Sequence, residues 1–191
     1  MTKERFEENR SWMEQGAWDA TTGNCVLCFQ SYVVKTPHHN ILVDACIGNN
    51  KTFPLRPSWN GKQDGNWMAA LKAANLAPED IDFVMCTHLH GDHVGWNTKL
   101  ENGRWVPTFP KARYLFAKQE FDYWSEQNAK APVPPFVDSV LPVVEPSATS
   151  SSATTTRSAI TCASCRRRAT RPAMSPSPSA AARTTPCSPA T

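Results

Sequence analysis

The stretch THLHGDHVGW (residues 87–96) brings together three of the chain's five histidines and an aspartate within six consecutive positions. His88, His90, Asp92 and His93, which we call the histidine cluster, form the pattern H-x-H-x-D-H directly after a short apolar segment. A packed core does not tolerate so many polar side chains without partners, and solubility does not require them. The pattern therefore indicates a site in which these side chains act together.

The histidine cluster suits a divalent metal ion, because imidazole nitrogen and carboxylate oxygen are ligands that zinc and similar ions favour. In an extended loop, His88 and His90 point the same way and can converge on one ion. The turn through Gly91 can aim Asp92 and His93 at a neighbouring ion. Two such ions can share a hydroxide that attacks a carbonyl or phosphoryl centre. Two simpler interpretations are weaker: a polar loop whose histidines are close by chance, and a structural zinc, which favours cysteine-rich shells.

The segments before the cluster read as strands and one helix. Residues 25–35 and 40–46 are two β-rich runs joined by a turn that contains Pro37, which predicts a hairpin. Residues 66–76, NWMAALKAANL, have apolar side chains at helical spacing. Residues 83–87 form a short apolar strand of the buried kind. The cluster begins where that strand ends, and such loops commonly carry functional side chains.

The segments after the cluster continue the mixture of strands and helices. Asn102-Gly103 suits the two-residue turn of a hairpin. Residues 112–116 read as a strand and residues 117–128 as a helix. This order predicts a layered α/β or α+β domain.

Composition divides the chain of 191 residues at about residue 145. Of the 46 residues 146–191, 41 are Ala, Ser, Thr, Pro or Arg, and none is acidic or aromatic. A segment of this kind cannot bury enough apolar surface to order itself. We therefore predict an incomplete folded domain over residues 1–145 and a low-complexity tail, disordered or frameshifted, over residues 146–191.

The tail also sets the net charge. It holds six of the 20 basic residues and none of the 17 acidic ones, so residues 1–145 have 14 basic and 17 acidic residues. The sequence pI of about 8.5 therefore does not predict a nucleic-acid partner for the domain. Binding of nucleic acid by the arginine-bearing tail is an alternative that predicts steeply salt-dependent association.

The chain has no apolar run near the roughly 20 residues of a membrane span, and its N-terminus, MTKERFEENRSW, is charged where a signal peptide is apolar. Seven cysteines without a dense framework fit reduced thiols. These features predict a cytoplasmic protein that does not bind membranes. Cys25-x-x-Cys28 and Cys162-x-x-Cys165 match the ligand count of a zinc ribbon, but one pair lies in a predicted strand and the other in the tail.

The stretch THLHGDHVGW resembles the signature of the metallo-β-lactamase superfamily, whose fold is an αββα sandwich with a metal site at the strand ends. The neighbouring ILVDACIGN (residues 41–49) resembles the family's early strand that ends in Asp. WNTKLENGRWVPTFPKARYLF (residues 96–116) resembles a branch of metal-dependent hydrolases that includes lactonases. The resemblance covers about residues 24–145, and it implies an α/β (α+β) sandwich of which this chain holds the N-terminal portion only.

The resemblance also implies roles for individual residues. His88 and His90 would bind a first metal, and Asp92 and His93 a second, with Zn²⁺ expected and Fe or Mn as alternatives. Asp92 would also be catalytic, because it would orient the nucleophile or pass a proton to the leaving oxygen. Asp44 would accept a hydrogen bond from a ligand histidine and fix its tautomer; as a simple alternative, it ends a strand and caps the next turn.

The family supplies further ligands from a downstream Pro-Gly-His context and a bridging Asp, whereas this chain has no His after His93 and no acidic residue after Glu145. A shift of reading frame re-reads residues 165–175 (CRRRATRPAMS) as PTPGHTPGHV and residues 183–191 (RTTPCSPAT) as HDAVLTGD. Those are the missing motifs in the right order. The residues after about 145 are therefore expected to be a frameshifted translation.

The resemblance implies a hydrolase that uses a metal-bound hydroxide to open a carbonyl ester, such as an acyl-homoserine lactone, with a small-molecule ester or lactone as its partner. Thioester hydrolysis of the glyoxalase type and phosphodiester hydrolysis occur on the same fold and are alternatives. An inactive remnant is another, because the downstream ligands are missing. For the chain as it stands we expect weak metal binding and little turnover.

Overall fold

The computed structural model describes residues 2–144 and 160–162. Six α-helices lie within these residues: α1 (Lys3–Asn9), α2 (Asn66–Ala73), α3 (Gly91–Val94), α4 (Lys118–Lys130), α5 (Pro134–Ser139) and α6 (Leu141–Val144). Nine strands lie within them: β1 (Trp18–Asp19), β2 (Asn24–Cys25), β3 (Tyr32–Lys35), β4 (Asn40–Val43), β5 (Phe83–Met85), β6 (Thr98–Glu101), β7 (Arg104–Pro107), β8 (Arg113–Ala117) and β9 (Ile160–Cys162). No helix among the described residues is both long and apolar enough to cross a bilayer.

A five-stranded sheet in the order β3-β4-β5-β8-β9 is the centre of the domain. Strand β3 runs antiparallel to β4, and the other neighbours are parallel. Parallel neighbours need crossover connections, and α2 lies between β4 and β5 in the chain. The predicted layered α/β class is confirmed. Residues 145–159 and 163–191, which include most of the predicted tail, lie outside the described residues.

The predicted hairpin of the first two β-rich runs is confirmed in a shorter form. Its register pairs Tyr32 with Val43 and Lys35 with Asn40. The first strand was predicted from residue 25, but residues 24–25 pair instead with β1 in a separate two-stranded sheet. The second strand ends at Val43, because Asp44 and Cys46 have left-handed backbone angles, with φ of 59° and 42°. This turn directs the chain away from the sheet at the edge where the candidate site lies.

The other predicted elements are also confirmed, with small changes in their ends. Helix α2 stops at Ala73, and Asn75 follows with φ of 55°, a left-handed position that asparagine tolerates near helix ends. Strands β6 and β7 are joined by Asn102 and Gly103, both with positive φ, as a two-residue hairpin turn requires. Helices α1, α5 and α6 were not predicted, because all three are short, with 7, 6 and 4 residues.

The two faces of the sheet differ. On one face, the core forms between the strands and the helices: Leu42, Val84, Tyr114 and Phe116 pack with residues such as Leu71, Phe136, Val140 and Val143, all of them buried. On the other face, the register aligns Tyr32, Val43, Met85 and Leu115 across four strands. Tyr32 is 60% exposed and Met85 is 40% exposed, and none of these four belongs to a core cluster of the described residues. Among the described residues, the helices therefore cover one face of the sheet and leave the other, apolar face uncovered.

Candidate metal centre

The candidate site lies at the carboxyl ends of two neighbouring parallel strands. Strand β4 ends at Val43 and is followed by Asp44, while β5 ends at Met85 and leads through Thr87 to His88. The carboxyl ends of parallel strands meet at one edge of a sheet, and ligands of α/β proteins commonly bind there. The sheet therefore brings two segments that are distant in sequence to the same place.

The carboxylate of Asp44, a residue that is 7% exposed, connects the two segments at this edge of the sheet through hydrogen bonds. Its Oδ1 accepts a hydrogen bond from the Thr87 backbone N–H at 2.8 Å, and its Oδ2 accepts one from the Thr87 hydroxyl at 2.8 Å. The same Oδ2 lies 2.9 Å from Nδ1 of His93. When Nδ1–H donates to this carboxylate, Nε2 of His93 carries a lone pair that is available to a metal ion.

The His88 imidazole contacts the other two imidazoles of the histidine cluster. The ring centroid of His88 is 3.9 Å from that of His93 and 4.7 Å from that of His90. Nε2 of His93 is 3.5 Å from Oδ2 of Asp92. Burial lowers the pKa of His88, and the nearby His93 and His90 lower it further. His88 is thus biased towards the neutral form, which is the form that binds metals.

Close backbone packing holds the loop that carries the cluster. The backbone N–H of Ala45 donates to the His93 carbonyl oxygen, and that of Trp96 donates to the Ala45 carbonyl oxygen, both at 2.7 Å. A Cβ added to Gly95 would lie only 1.8 Å from the carbonyl oxygen of Ile47. Only glycine permits this approach, so the two segments can lie together only because position 95 has no side chain.

Two residues of α4 support the loop from the helical side. Oε2 of Glu120 accepts hydrogen bonds at 3.2 Å from the Leu89 backbone N–H and from Nε1 of Trp124. The Trp124 ring contacts His90 edge-on, with centroids 5.5 Å apart. Glu120 and Thr87 were not identified from the sequence, since each is an ordinary polar residue within its own segment and acquires its partner only through the fold.

The chemistry of the cluster fits a divalent metal ion, but the arrangement of its donors falls short of a complete site. His88, His90, Asp92 and His93 supply three imidazoles and one carboxylate, the donor types that zinc favours. Within residues 2–144 and 160–162, however, no group of three or more His, Cys, Asp or Glu side chains is arranged to hold a metal ion. The described residues therefore supply donors of the right chemical type but not a complete set of ligands for a metal ion.

The remaining sequence features fall in different places. His38 and His39, the two histidines outside the histidine cluster, lie in an exposed turn of the β3-β4 hairpin. Trp96 is buried and lines a cavity of about 580 Å³ together with Trp67. The Trp105 ring instead contacts a buried lysine. The zinc-ribbon alternative depends on Cys165, which lies outside the described residues.

Comparison with known proteins places this architecture in a family. The family model of the metallo-beta-lactamase superfamily matches residues 30–155. N-acyl homoserine lactonase AiiB of Rhizobium rhizogenes is 29% identical over 100 residues, which cover 48% of this chain and 33% of that protein. N-acyl homoserine lactonase AttM of Azorhizobium caulinodans is 24% identical over 101 residues, which cover 48% of this chain and 35% of that protein. The chain thus spans about a third of the length of the curated relatives it matches.

A solved structure supports the same fold. A probable metal-dependent hydrolase from Staphylococcus aureus superposes with a TM-score of 0.52 at 24% identity, covering 69% of this chain and 46% of that one. At this identity the likeness concerns the fold alone. Together with the family match it confirms the predicted fold class and the resemblance found in the sequence.

Proposed function

This chain belongs to the metallo-beta-lactamase superfamily, and we propose that it is a metal-dependent hydrolase that opens carbonyl esters, with acyl-homoserine lactones as substrates. One observation carries the proposal. The His88 ring contacts the rings of His90 and His93 at the carboxyl edge of the sheet, and the Asp44 carboxylate lies within hydrogen-bond distance of Nδ1 of His93. The curated relatives support the choice of lactones, because those proteins are N-acyl homoserine lactonases.

We assign His88 and His90 to a first divalent ion and Asp92 and His93 to a second, with zinc as the expected metal. When bound, such ions supply an activated water at neutral pH and polarise the substrate carbonyl. The remaining ligands of each ion would come from outside the described residues, since four protein ligands are too few for two ions with one open position each.

The chain's own residues have distinct tasks in this proposal. Asp44 accepts a hydrogen bond from Nδ1–H of His93, so that Nε2, which lies 3.5 Å from Oδ2 of Asp92, carries the lone pair for the metal. Thr87 keeps the Asp44 carboxylate in place through its backbone N–H and its hydroxyl. Asp92 orients the attacking water and passes its proton to the ring oxygen as the acyl carbon–oxygen bond breaks, so a lactone and water give a hydroxy acid.

An inactive remnant is the second candidate, and a specific observation favours it. Within the described residues no three donors are arranged to hold a metal ion, and the sequence has no His after His93. We infer that residues 146–191 are a frameshifted translation that replaces the missing ligands. DNA sequencing across the codons for residues 145–147 tests this inference, and an uninterrupted frame would contradict it.

The function is tested by assaying hydrolysis of an N-acyl homoserine lactone with added zinc, using the chain and a version with the frame restored. The proposal predicts zinc-dependent turnover in the restored version and loss of that turnover on His88→Ala or His90→Ala. His38→Ala is the matched control, because His38 is exposed in a hairpin turn. Turnover that persists without the cluster would refute the proposed function, and absence of metal from the restored protein would refute the metal site.

A thioester and a phosphodiester assayed in parallel distinguish the other chemistries of this fold. Cytoplasmic location and a small-molecule partner are part of the same proposal.

A further inference from the structure

Lys51 is a buried charged residue outside the histidine cluster, with 1% of its surface exposed. Its Nζ donates to the Thr98 hydroxyl at 2.6 Å and to the Asp138 carbonyl oxygen at 3.4 Å. Oδ1 of the Asp138 carboxylate and the centroid of the Trp105 ring are each 3.5 Å from Nζ. A single ammonium group therefore contacts β6, β7 and α5.

Fold stability alone does not account for this buried pair. Burial lowers the pKa of Lys51 to about 8 and raises the pKa of Asp138, while the attraction between the two groups opposes both shifts. Apolar side chains of similar volume commonly replace a buried ion pair without loss of stability. What the pair adds is a defined geometry, because the ammonium has fixed partners on three elements.

Two segments that Lys51 joins, residues 51–53 and helix α5, also both approach Gly91. Phe53 lies two residues after Lys51, and a Cβ added to Gly91 would be 2.4 Å from Cε1 of Phe53. The same Cβ would be 3.0 Å from Cγ of Pro135, which belongs to α5 like Asp138. Gly91 is the residue between His90 and Asp92. The ion pair thus joins the segment of residues 51–53 to α5, and a residue from each of these two segments lies against the turn of the histidine cluster.

We propose that Lys51 is a positioning residue for the histidine cluster. Its ammonium joins residues 51–53 to α5 and so fixes the backbone at Gly91, from which His90 and Asp92 extend. The inference rests on the proposed function for its purpose, since it assigns Lys51 to the same site. Holding the loop does not itself require a metal, so the two can be tested separately.

Hydrogen–deuterium exchange of the full chain without metal tests the positioning role. The double variant Lys51→Met/Asp138→Leu removes both buried charges and leaves neither unpaired. We expect exchange of the amides in residues 88–94 to become about tenfold faster or more, with exchange in β4 and β8 unchanged. The matched control is Lys118→Met/Asp122→Leu, which removes an exposed ion pair of α4 and should leave exchange in residues 88–94 at the wild-type rate.

Two outcomes would overturn the positioning role: unchanged exchange in residues 88–94, or an increase by the same factor in β4 and β8, which would reveal a general loss of stability. Lys51→Met alone is a second variant, expected to show the same local effect with a larger loss of stability because a buried carboxylate is left unpaired.

The effect of zinc on hydrogen–deuterium exchange distinguishes the role of Lys51 from the proposed metal site. Zinc added to the version with the frame restored should slow exchange in residues 88–94, because that version carries the ligands that the chain as it stands lacks. If it does not, while the double variant still differs from wild type, the metal site is refuted and the role of Lys51 stands. If zinc slows exchange but the variants without metal are identical, the metal site stands and the role of Lys51 is refuted.

Discussion

Replacing Asp44 with Asn should separate the folding of the site from its ability to bind metal. Asparagine has nearly the same shape and tolerates the left-handed φ of 59° at this position. Its side-chain oxygen must face the Thr87 backbone N–H, which can only donate. The amide NH₂ then replaces the oxygen that now lies 2.9 Å from Nδ1 of His93. Two donors would meet unless His93 moves its proton to Nε2.

This change of tautomer is the main expected effect. A proton on Nε2 blocks the nitrogen that is free to bind metal, and loss of such an outer partner typically lowers metal affinity by about 10- to 100-fold. The cost to folding is smaller. One charge-assisted hydrogen bond is lost and the others are weakened, so the free energy of unfolding should fall by about 1.5–3 kcal/mol. The variant should therefore lose most of its metal affinity while it remains folded.

The measurements are zinc affinity by competition with a chelating dye, unfolding by urea, and the His93 tautomer by ¹⁵N NMR. Asp82→Asn is the matched control, because Oδ2 of Asp82 is 3.8 Å from Nδ1 of the exposed His39. That variant should bind zinc as the wild type does. A zinc affinity of Asp44→Asn within about threefold of wild type would contradict the expected loss, which is larger. A proton that stays on Nδ1 of His93 would contradict the expected change of tautomer.

Three further changes test the packing and the charges. Gly91→Ala places a methyl group 2.4 Å from Cε1 of Phe53 and should lower the free energy of unfolding by about 1–3 kcal/mol; an unchanged urea midpoint would contradict this. Val34 lies on the uncovered face of the sheet and is 47% exposed, so Val34→Lys should change the free energy of unfolding by less than about 0.5 kcal/mol. Leu42→Ala on the covered face should lower it by about 2–5 kcal/mol. Equal losses in urea unfolding would show that both faces are packed. Burial lowers the pKa of Lys51 from 10.5 to about 8. Between about pH 8 and 10.5 the unfolded chain therefore binds more protons at this residue than the folded chain does. The free energy of unfolding should rise with pH over this range, by on the order of 3 kcal/mol. The rise, measured as wild type minus Lys51→Met, should be absent below pH 8, and a flat difference from pH 7 to 10.5 would contradict it.

The sequence alone determined those features that depend on neighbouring residues. The Asn102-Gly103 hairpin follows from two residues that accept positive φ. Helix α2 and strand β5 follow from the spacing of apolar side chains. The contact among His88, His90 and His93 follows from their closeness in the chain, and the family resemblance followed from the same motif. In each case the deciding interaction spans only a few residues.

Only the tertiary structure decided the contacts that join distant segments. Asp44 meets His93 across 49 positions, because parallel pairing of β4 and β5 brings their carboxyl ends together. Lys51 looks like an ordinary surface lysine in the sequence, and its partner Asp138 is 87 positions away. The open apolar face of the sheet is likewise invisible in the pattern of residues, since both faces of a mainly parallel sheet are apolar. Which face is covered depends on where the helices pack, and packing is a property of the whole fold.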